Sequence, residues 1–177
     1  VTQRDLVLDT LANPNSIYNT VGSLLCLDLP VDEALWCQAV TRLETEQPML
    51  RVRLLETPPP YPDAYAQYFP DNAEVDRQVL DFSDLNLDQQ QIEARVGELI
   101  YQPFSLFDNA WVRYYLIKLD VEHYLTVFSG HHALFDGMAG MLLLEELVRV
   151  YYALSEQQDY TPLPNNYADY IRFNRQQ

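Results

Sequence analysis

Residues 111–137 read WVRYYLIKLDVEHYLTVFSGHHALFDG. Trp111 to Leu119 and His123 to Ser129 are rich in Val, Tyr, Ile, Leu and Phe, the side chains that suit a pleated, half-buried surface. The polar triplet Asp120-Val121-Glu122 between them marks a turn, so the two runs predict a central β-hairpin. Directly behind it stand Gly130, His131 and His132, followed from about Asp136 to Leu154 by Leu143, Leu144, Leu147, Val150, Tyr151 and Leu154 at helical spacing. The histidines therefore fall where a buried strand gives way to a helix.

Toward the N-terminus, Asp5 to Leu11 predicts a short helix stopped by Asn13-Pro14-Asn15-Ser16, and Val21 to Asp28 predicts a strand. Pro30, Asp32 and Glu33 form the acidic first turn of a helix to about Glu46, with Leu35, Ala39 and Leu43 on one face. Leu50 to Leu55 alternates as Leu-Arg-Val-Arg-Leu, which predicts a strand with Arg51 and Arg53 on the same side. After the proline-rich stretch TPPPYP, residues 57–62, modest strands are expected at Ala64 to Phe69 and Val75 to Asp81. A helix from about Leu87 to Tyr101 then carries Ile92, Val96, Leu99 and Ile100 and ends at Pro103. Asp159 to Asn166 reads as a connector before a last helix with Tyr167, Tyr170 and Phe173. The chain starts at Val1 without an initiator Met and ends inside that helix, the pattern expected of an excised piece.

A chain of 177 residues, 48% hydrophobic and 12% aromatic, can bury one sizeable core. Its 26 acidic against 11 basic residues, a formal charge of -15, would repel phosphate backbones and anionic lipid surfaces, which excludes nucleic acid and membrane as leading partners. No apolar run reaches the length of a membrane span, and Val1 to Thr10 carries Arg4, Asp5 and Asp9 where a signal peptide would be apolar, so a cytoplasmic location is expected. Cys26 and Cys37 have no CxxC spacing and are expected as buried thiols without chemistry.

Histidine is the side chain whose ordinary charge change falls nearest neutral pH, and two adjacent histidines followed by Asp136-Gly137 form the one credible active site. At a strand end the two should point to opposite sides: His132 toward reactants, His131 inward. A histidine that gives one ring proton to a backbone carbonyl presents its other nitrogen as a base, suited to deprotonating an amine or hydroxyl that attacks an activated acyl group. No GxSxG elbow is present, so direct transfer without an acyl-enzyme is the simpler reading. Asp136, in the first helical turn, is expected as a cap or ion-pair partner fixing the loop, with Arg51 or Arg53 as its cation. Gly137 is expected to allow a close approach or unusual backbone angle, and its amide to assist a developing oxyanion. His131, His132 and Asp136 offer no third soft ligand nearby and His123 lies across the hairpin, so zinc is disfavoured.

HHALFDG resembles the HHxxxDG signature of the condensation-domain superfamily, which includes chloramphenicol acetyltransferase-like enzymes. The resemblance covers nearly the whole chain. Thr2 to Leu11 is similar to the family's opening helix, PNSIYN (residues 14–19) to its following turn, and QPMLRVRL (residues 47–54) to its "HEALRTRF" segment. YQPFSL (residues 101–106) and YADY (residues 167–170) match further family elements. The resemblance implies an α/β (α+β) two-layer sandwich, a chloramphenicol acetyltransferase-like lobe with a mixed sheet and helices packed on one face. It identifies residues 1–177 as the N-terminal lobe of a nonribosomal peptide synthetase condensation domain, lacking the C-terminal lobe and expected to be inactive alone. It implies amide formation between a carrier-bound acyl or peptidyl thioester and a carrier-bound amino acid, with His132 as general base or positioning group and His131, Asp136 and Gly137 in supporting roles. No cofactor would be bound directly, since the substrates ride on 4'-phosphopantetheine arms of donor and acceptor peptidyl carrier proteins. Met138 and Ala139 depart from the aromatic and serine usual after Asp-Gly, and QPM replaces "HEA" before Arg51. An ester-forming or stand-alone acyltransferase, an epimerization domain and a non-catalytic docking lobe are the alternative readings.

Overall fold

In a computed structural model of the chain, residues 2–57, 65–71, 76–107 and 109–164 are described. The order is α1 (Gln3–Ala12), β1 (Thr20–Asp28), α2 (Glu33–Glu46), a 3-10 turn (Pro48–Arg51), β2 (Arg53–Glu56), β3 (Tyr65–Tyr68), β4 (Arg77–Asp81), α3 (Gln89–Ile100), β5 (Val112–Lys118), β6 (His123–His131) and α4 (Gly137–Ser155). Each α-helix among the described residues opens on a residue able to take up orphan N–H groups: Thr2, Asp32, Asp88 and Asp136 each accept from the backbone amide three residues on. At Thr2 with Asp5, and at Asp88 with Gln91, the bonding is reciprocal.

The main sheet has the order β1-β6-β5-β4, with β6 antiparallel to both neighbours and β4 parallel to β5, while β2 and β3 pair separately. The expected β5–β6 hairpin is therefore the centre of a mixed sheet. Asp120 closes its turn by accepting the amides of Glu122 and His123 at 2.8 and 2.9 Å.

Strand alternation divides the hydrophobic residues between two faces. Tyr114, Leu116, Tyr124 and Phe128 join Trp36, Ala39, Val40 and Leu43 of α2 and Leu144, Leu147 and Val150 of α4. Tyr115, Ile117, Leu125 and Val127 meet Val96 and Ile100 of α3 on the opposite side. The expected helical layer is thus α2 with α4, but α3 covers the other face, because both strands of the hairpin are apolar on both sides. A third cluster joins Val7 of α1 to Val52, Leu54, Phe104, Leu106 and Trp111. Each fully buried apolar side chain of this size stabilises by roughly 1.5–3 kcal/mol.

Two local expectations change. Pro48 favours a helical first position, so the segment before Val52 coils into a 3-10 turn and strand pairing starts only at Arg53. Arg51 and Arg53 consequently do not share a strand face. Cys26 is exposed, since β1 lies at the sheet's edge and turns Leu24, Cys26 and Asp28 outward, and Cys37 in α2 is half-buried. The expected last helix and YADY lie outside the described residues. Among the described residues no helix is long and apolar enough to cross a membrane.

Candidate active site

His131 is the last residue of β6 and is held on both flanks, by register with Thr20 of β1 and by its N–H donating to Trp111 O at 2.9 Å. Its ring is 1% exposed, lying 5.6 Å from the Trp111 ring and edge-on to Phe104 at 6.1 Å. The hydrogen bonds decide its tautomer. Nδ1 accepts the Ala133 N–H at 3.1 Å, so the ring proton is on Nε2. Nε2 stands 2.7 Å from Thr10 Oγ1, which gives its own proton to Leu6 O at 3.0 Å. Burial, with a smaller contribution from neighbouring His132, pushes His131 down to about 4. His131 is therefore neutral at physiological pH and is committed to internal bonds through both nitrogens.

His132, one residue on, is exposed. Its backbone N–H donates to Asn19 O at 2.7 Å, while Leu134 N and Phe135 N both donate to His131 O, closing a tight turn. Gln3 of α1 donates to Ala133 O at 3.0 Å from behind. The imidazole of His132 has no hydrogen-bond partner among the described residues, so the backbone carbonyl expected to orient it is absent from its surroundings. It stands instead as an exposed ring on a hydrogen-bonded turn. Nearby segments carry exposed apolar side chains: Ile17 and Tyr18 before Asn19, and Met138, Met141 and Leu142 on the first turns of α4.

Asp136 is placed at the N-cap of α4, its Oδ1 accepting Ala139 N–H at 2.7 Å. No arginine among the described residues reaches it. Arg51 donates to the main-chain oxygens of Glu44, Thr45 and Pro70, while Arg53 folds back onto those of Arg51 and Val52. Both guanidiniums are spent at the α2–β2 corner, which the 3-10 turn creates, and the structure does not bring them to Asp136. Asp136 fixes the loop through helix capping alone.

Gly137 also differs from expectation. No glycine has a positive φ among the described residues, and a Cβ on Gly137 would meet nothing within 4 Å. The close approaches belong to neighbours: a Cβ on Gly130 would lie 2.5 Å from the Phe128 ring, and one on Gly140 would lie 2.9 Å from Ser23 Oγ. These glycines seat α4 against the sheet end and so set where the histidine turn leaves it.

Sequence reasoning missed Thr10, Asn19 and Gln3 as parts of this site. A polar Asn19 immediately ahead of an apolar strand was the available signal. His123, at the far end of β6, is paired with Asp120 at 2.7 Å and plays no part here. Among the described residues no three His, Cys, Asp or Glu side chains gather where they could hold a metal ion.

The family profile described as "Condensation domain" matches residues 2–177. The chain belongs to the condensation-domain family. A linear gramicidin synthase polypeptide of Brevibacillus parabrevis is 26% identical over 178 aligned positions, covering 98% of this chain and 3% of that protein. Gramicidin S synthase 2 of Brevibacillus brevis is 32% identical over 74 residues, 39% of this chain and 2% of that protein. Among solved structures, the starter condensation domain of the rhizomide synthetase RzmA superposes with TM-score 0.81 at 20% identity, covering 91% of this chain and 38% of that one. The first condensation domain of the calcium-dependent antibiotic synthetase, solved with a substrate analogue, matches equally well, with TM-score 0.81, 20% identity, and 92% and 38% coverage. The condensation-domain fold is thus shared across nearly all of this chain, which spans well under half of those solved domains.

Proposed function

We propose that this chain is the N-terminal lobe of a nonribosomal peptide synthetase condensation domain that joins a carrier-bound acyl or peptidyl thioester to the amine of a carrier-bound amino acid. The observation that carries the reading is the contrast between the two histidines: His131 neutral and internally bonded, His132 exposed and unengaged on the turn that His131 builds. In the reaction, the amine nitrogen attacks the thioester carbonyl, a C–N bond forms and the C–S bond breaks. His132 takes the proton that the nitrogen loses, and the departing thiolate is protonated to the thiol. This is general base catalysis by an imidazole, assisted by holding both reactants in place. Asp136 anchors the loop and Gly137 leaves open space beside it.

The substrates arrive on 4'-phosphopantetheine arms of donor and acceptor peptidyl carrier proteins, so no directly bound cofactor is required. A second lobe supplies the other wall and excludes water, which makes the isolated lobe inactive. The enzyme works in the cytoplasm, and the acidic balance, which repels phosphate backbones and anionic lipid surfaces, supports a reading without nucleic-acid or membrane partners.

The test is mass-spectrometric detection of amide product from the full-length parent with loaded donor and acceptor carriers, beside its His132→Ala variant. Amide from the parent and its loss in the variant support the reading. Ester product, or an acceptor whose only change is inverted configuration, would replace it with one of the related acyltransferase or epimerization activities.

A further inference from the structure

Thr10, in the last turn of α1, and Asn19, immediately before β1, are each 5% exposed. Buried hydroxyl and carboxamide groups require partners, and here the partners are the histidines and the elements that hold them. Asn19 Nδ2 donates to Asp9 Oδ2 at 2.7 Å and to Thr10 Oγ1 at 3.0 Å, which pins the residue to α1. Its carbonyl then accepts the His132 N–H at 2.7 Å. Thr10 Oγ1 gives its proton to Leu6 O and accepts from both His131 Nε2–H and Asn19. Its bonding capacity is thereby filled, and its proton direction is set by a helix carbonyl that can only accept.

We propose that Thr10 and Asn19 are positioning residues for proton transfer at His132, Asn19 through the main chain of His132 and Thr10 through the tautomer of His131. The proposal rests on His132 taking the amine's proton. Removing the Thr10 hydroxyl leaves the Nε2–H of His131 buried and unpaired. Moving that proton to Nδ1 would relieve it, but Nδ1–H then opposes the Ala133 N–H and opens the turn that aims His132. Removing the Asn19 side chain frees the carbonyl that fixes the His132 backbone. Neither change touches a substrate, so the consequence falls on the saturated rate.

The experiment uses the full-length parent carrying Thr10→Val, Thr10→Ser, Asn19→Ala or His132→Ala. Single-turnover amide formation is followed against acceptor-carrier concentration. Carbethoxylation of His131 and His132 by diethyl pyrocarbonate, read by mass spectrometry, supplies a measure independent of turnover. Thr10→Val and Asn19→Ala are expected to lower the saturated rate on the order of 100-fold, with half-saturation moving less than about 3-fold and Thr10→Ser within about 3-fold of the parent. His131 should be shielded in the parent and in Thr10→Ser, and labelled in Thr10→Val. Parent-like rates in Thr10→Val and Asn19→Ala, a loss confined to half-saturation, or a Thr10→Ser variant as slow as Thr10→Val would overturn the proposal. His132→Ala at the parental rate would sink the assignment of the base, and the positioning proposal with it. Parent-like positioning variants beside an inactive His132→Ala would sink the positioning proposal alone. If Thr10→Val is insoluble, Thr10→Ala read against Thr10→Ser decides the same question.

Discussion

Gly130 lies so close to Phe135 that a Cβ on it would stand 2.8 Å from Cδ2 of that ring, with Phe128 Cζ at 2.5 Å on the other side. The two aromatic rings are themselves packed edge to face at 4.8 Å, so neither can give way without disturbing the other. Gly130→Ala is expected to lower domain stability by about 1–3 kcal/mol, the usual cost of forcing a methyl into a packed core. Gly137→Ala, with open space around it, should stay within about 0.5 kcal/mol of the parent. Denaturant midpoints of the two variants check the pair, and equal losses would contradict the open space at Gly137.

Asp136 acts on stability through the helix it caps. Asp136→Ala should cost about 1 kcal/mol, and Asp136→Asn, which keeps the accepting oxygen, should recover most of it. Since no arginine among the described residues faces Asp136, raising the salt concentration should leave most of the alanine penalty in place, only its helix-dipole part being screened. A penalty abolished by salt in chemical denaturation would instead indicate an ion pair.

His132→Ala should separate chemistry from folding. The ring is exposed and makes no hydrogen bond among the described residues, so the unfolding midpoint should not move. Amide formation by the full-length parent should fall by roughly 100- to 10,000-fold, the range of general base catalysis. A large loss of stability together with activity would show that the residue has a structural part.

Two buried groups give stability opposing pH dependences. Glu44, 2% exposed with Oε1 unpartnered, is pushed up by burial from 4.5 to about 7, against the pull of Arg53 and Arg51. The folded state then holds a proton that the unfolded chain has released, so stability falls as pH rises from 4.5 through 7. His131 is pushed down from 6.5 to about 4, so its contribution is present above 6.5 and is lost as pH falls toward 4. At about 1.4 kcal/mol per pH unit, each effect is on the order of 3 kcal/mol, and they offset one another across the shared window. Glu44→Gln removes one side of that balance. Its stability should climb as pH rises from 4.5 to 6.5 while the parent's stays nearly flat, a divergence readable from denaturant midpoints at pH 5 and pH 8.

The sequence made the sheet's centre legible because the hairpin strands, β5 and β6, are apolar on both faces and end on a polar turn. It made the starts of α2 and α4 legible because Asp32 and Asp136 stand where acidic side chains suit a first turn, whereas the caps Thr2 and Asp88 were not read. The adjacent histidines announced their own divergence, His131 inward and His132 outward. The arginines misled because an alternating pattern looks the same whether the chain extends or coils, and Pro48 decided for coiling. The close approach expected at Gly137 belongs to Gly130 and Gly140, since which glycine meets a neighbour depends on where α4 lands. Thr10 and Asn19 were not recognised as site residues because their partners are fixed by tertiary packing; the polar Asn19 ahead of an apolar strand hinted at a role but not at its partners.

The bond from Thr10 to His131 joins residues 121 positions apart in the chain. Closing a contact of that span carries a loop-entropy cost that the local helices and the hairpin do not, so it is expected to form after them. A growing chain can therefore display the His131-His132 pair on a finished hairpin before α1 has docked behind it. The orientation of the His132 imidazole is then among the last properties acquired during folding, and it reports that the first helix has found its place.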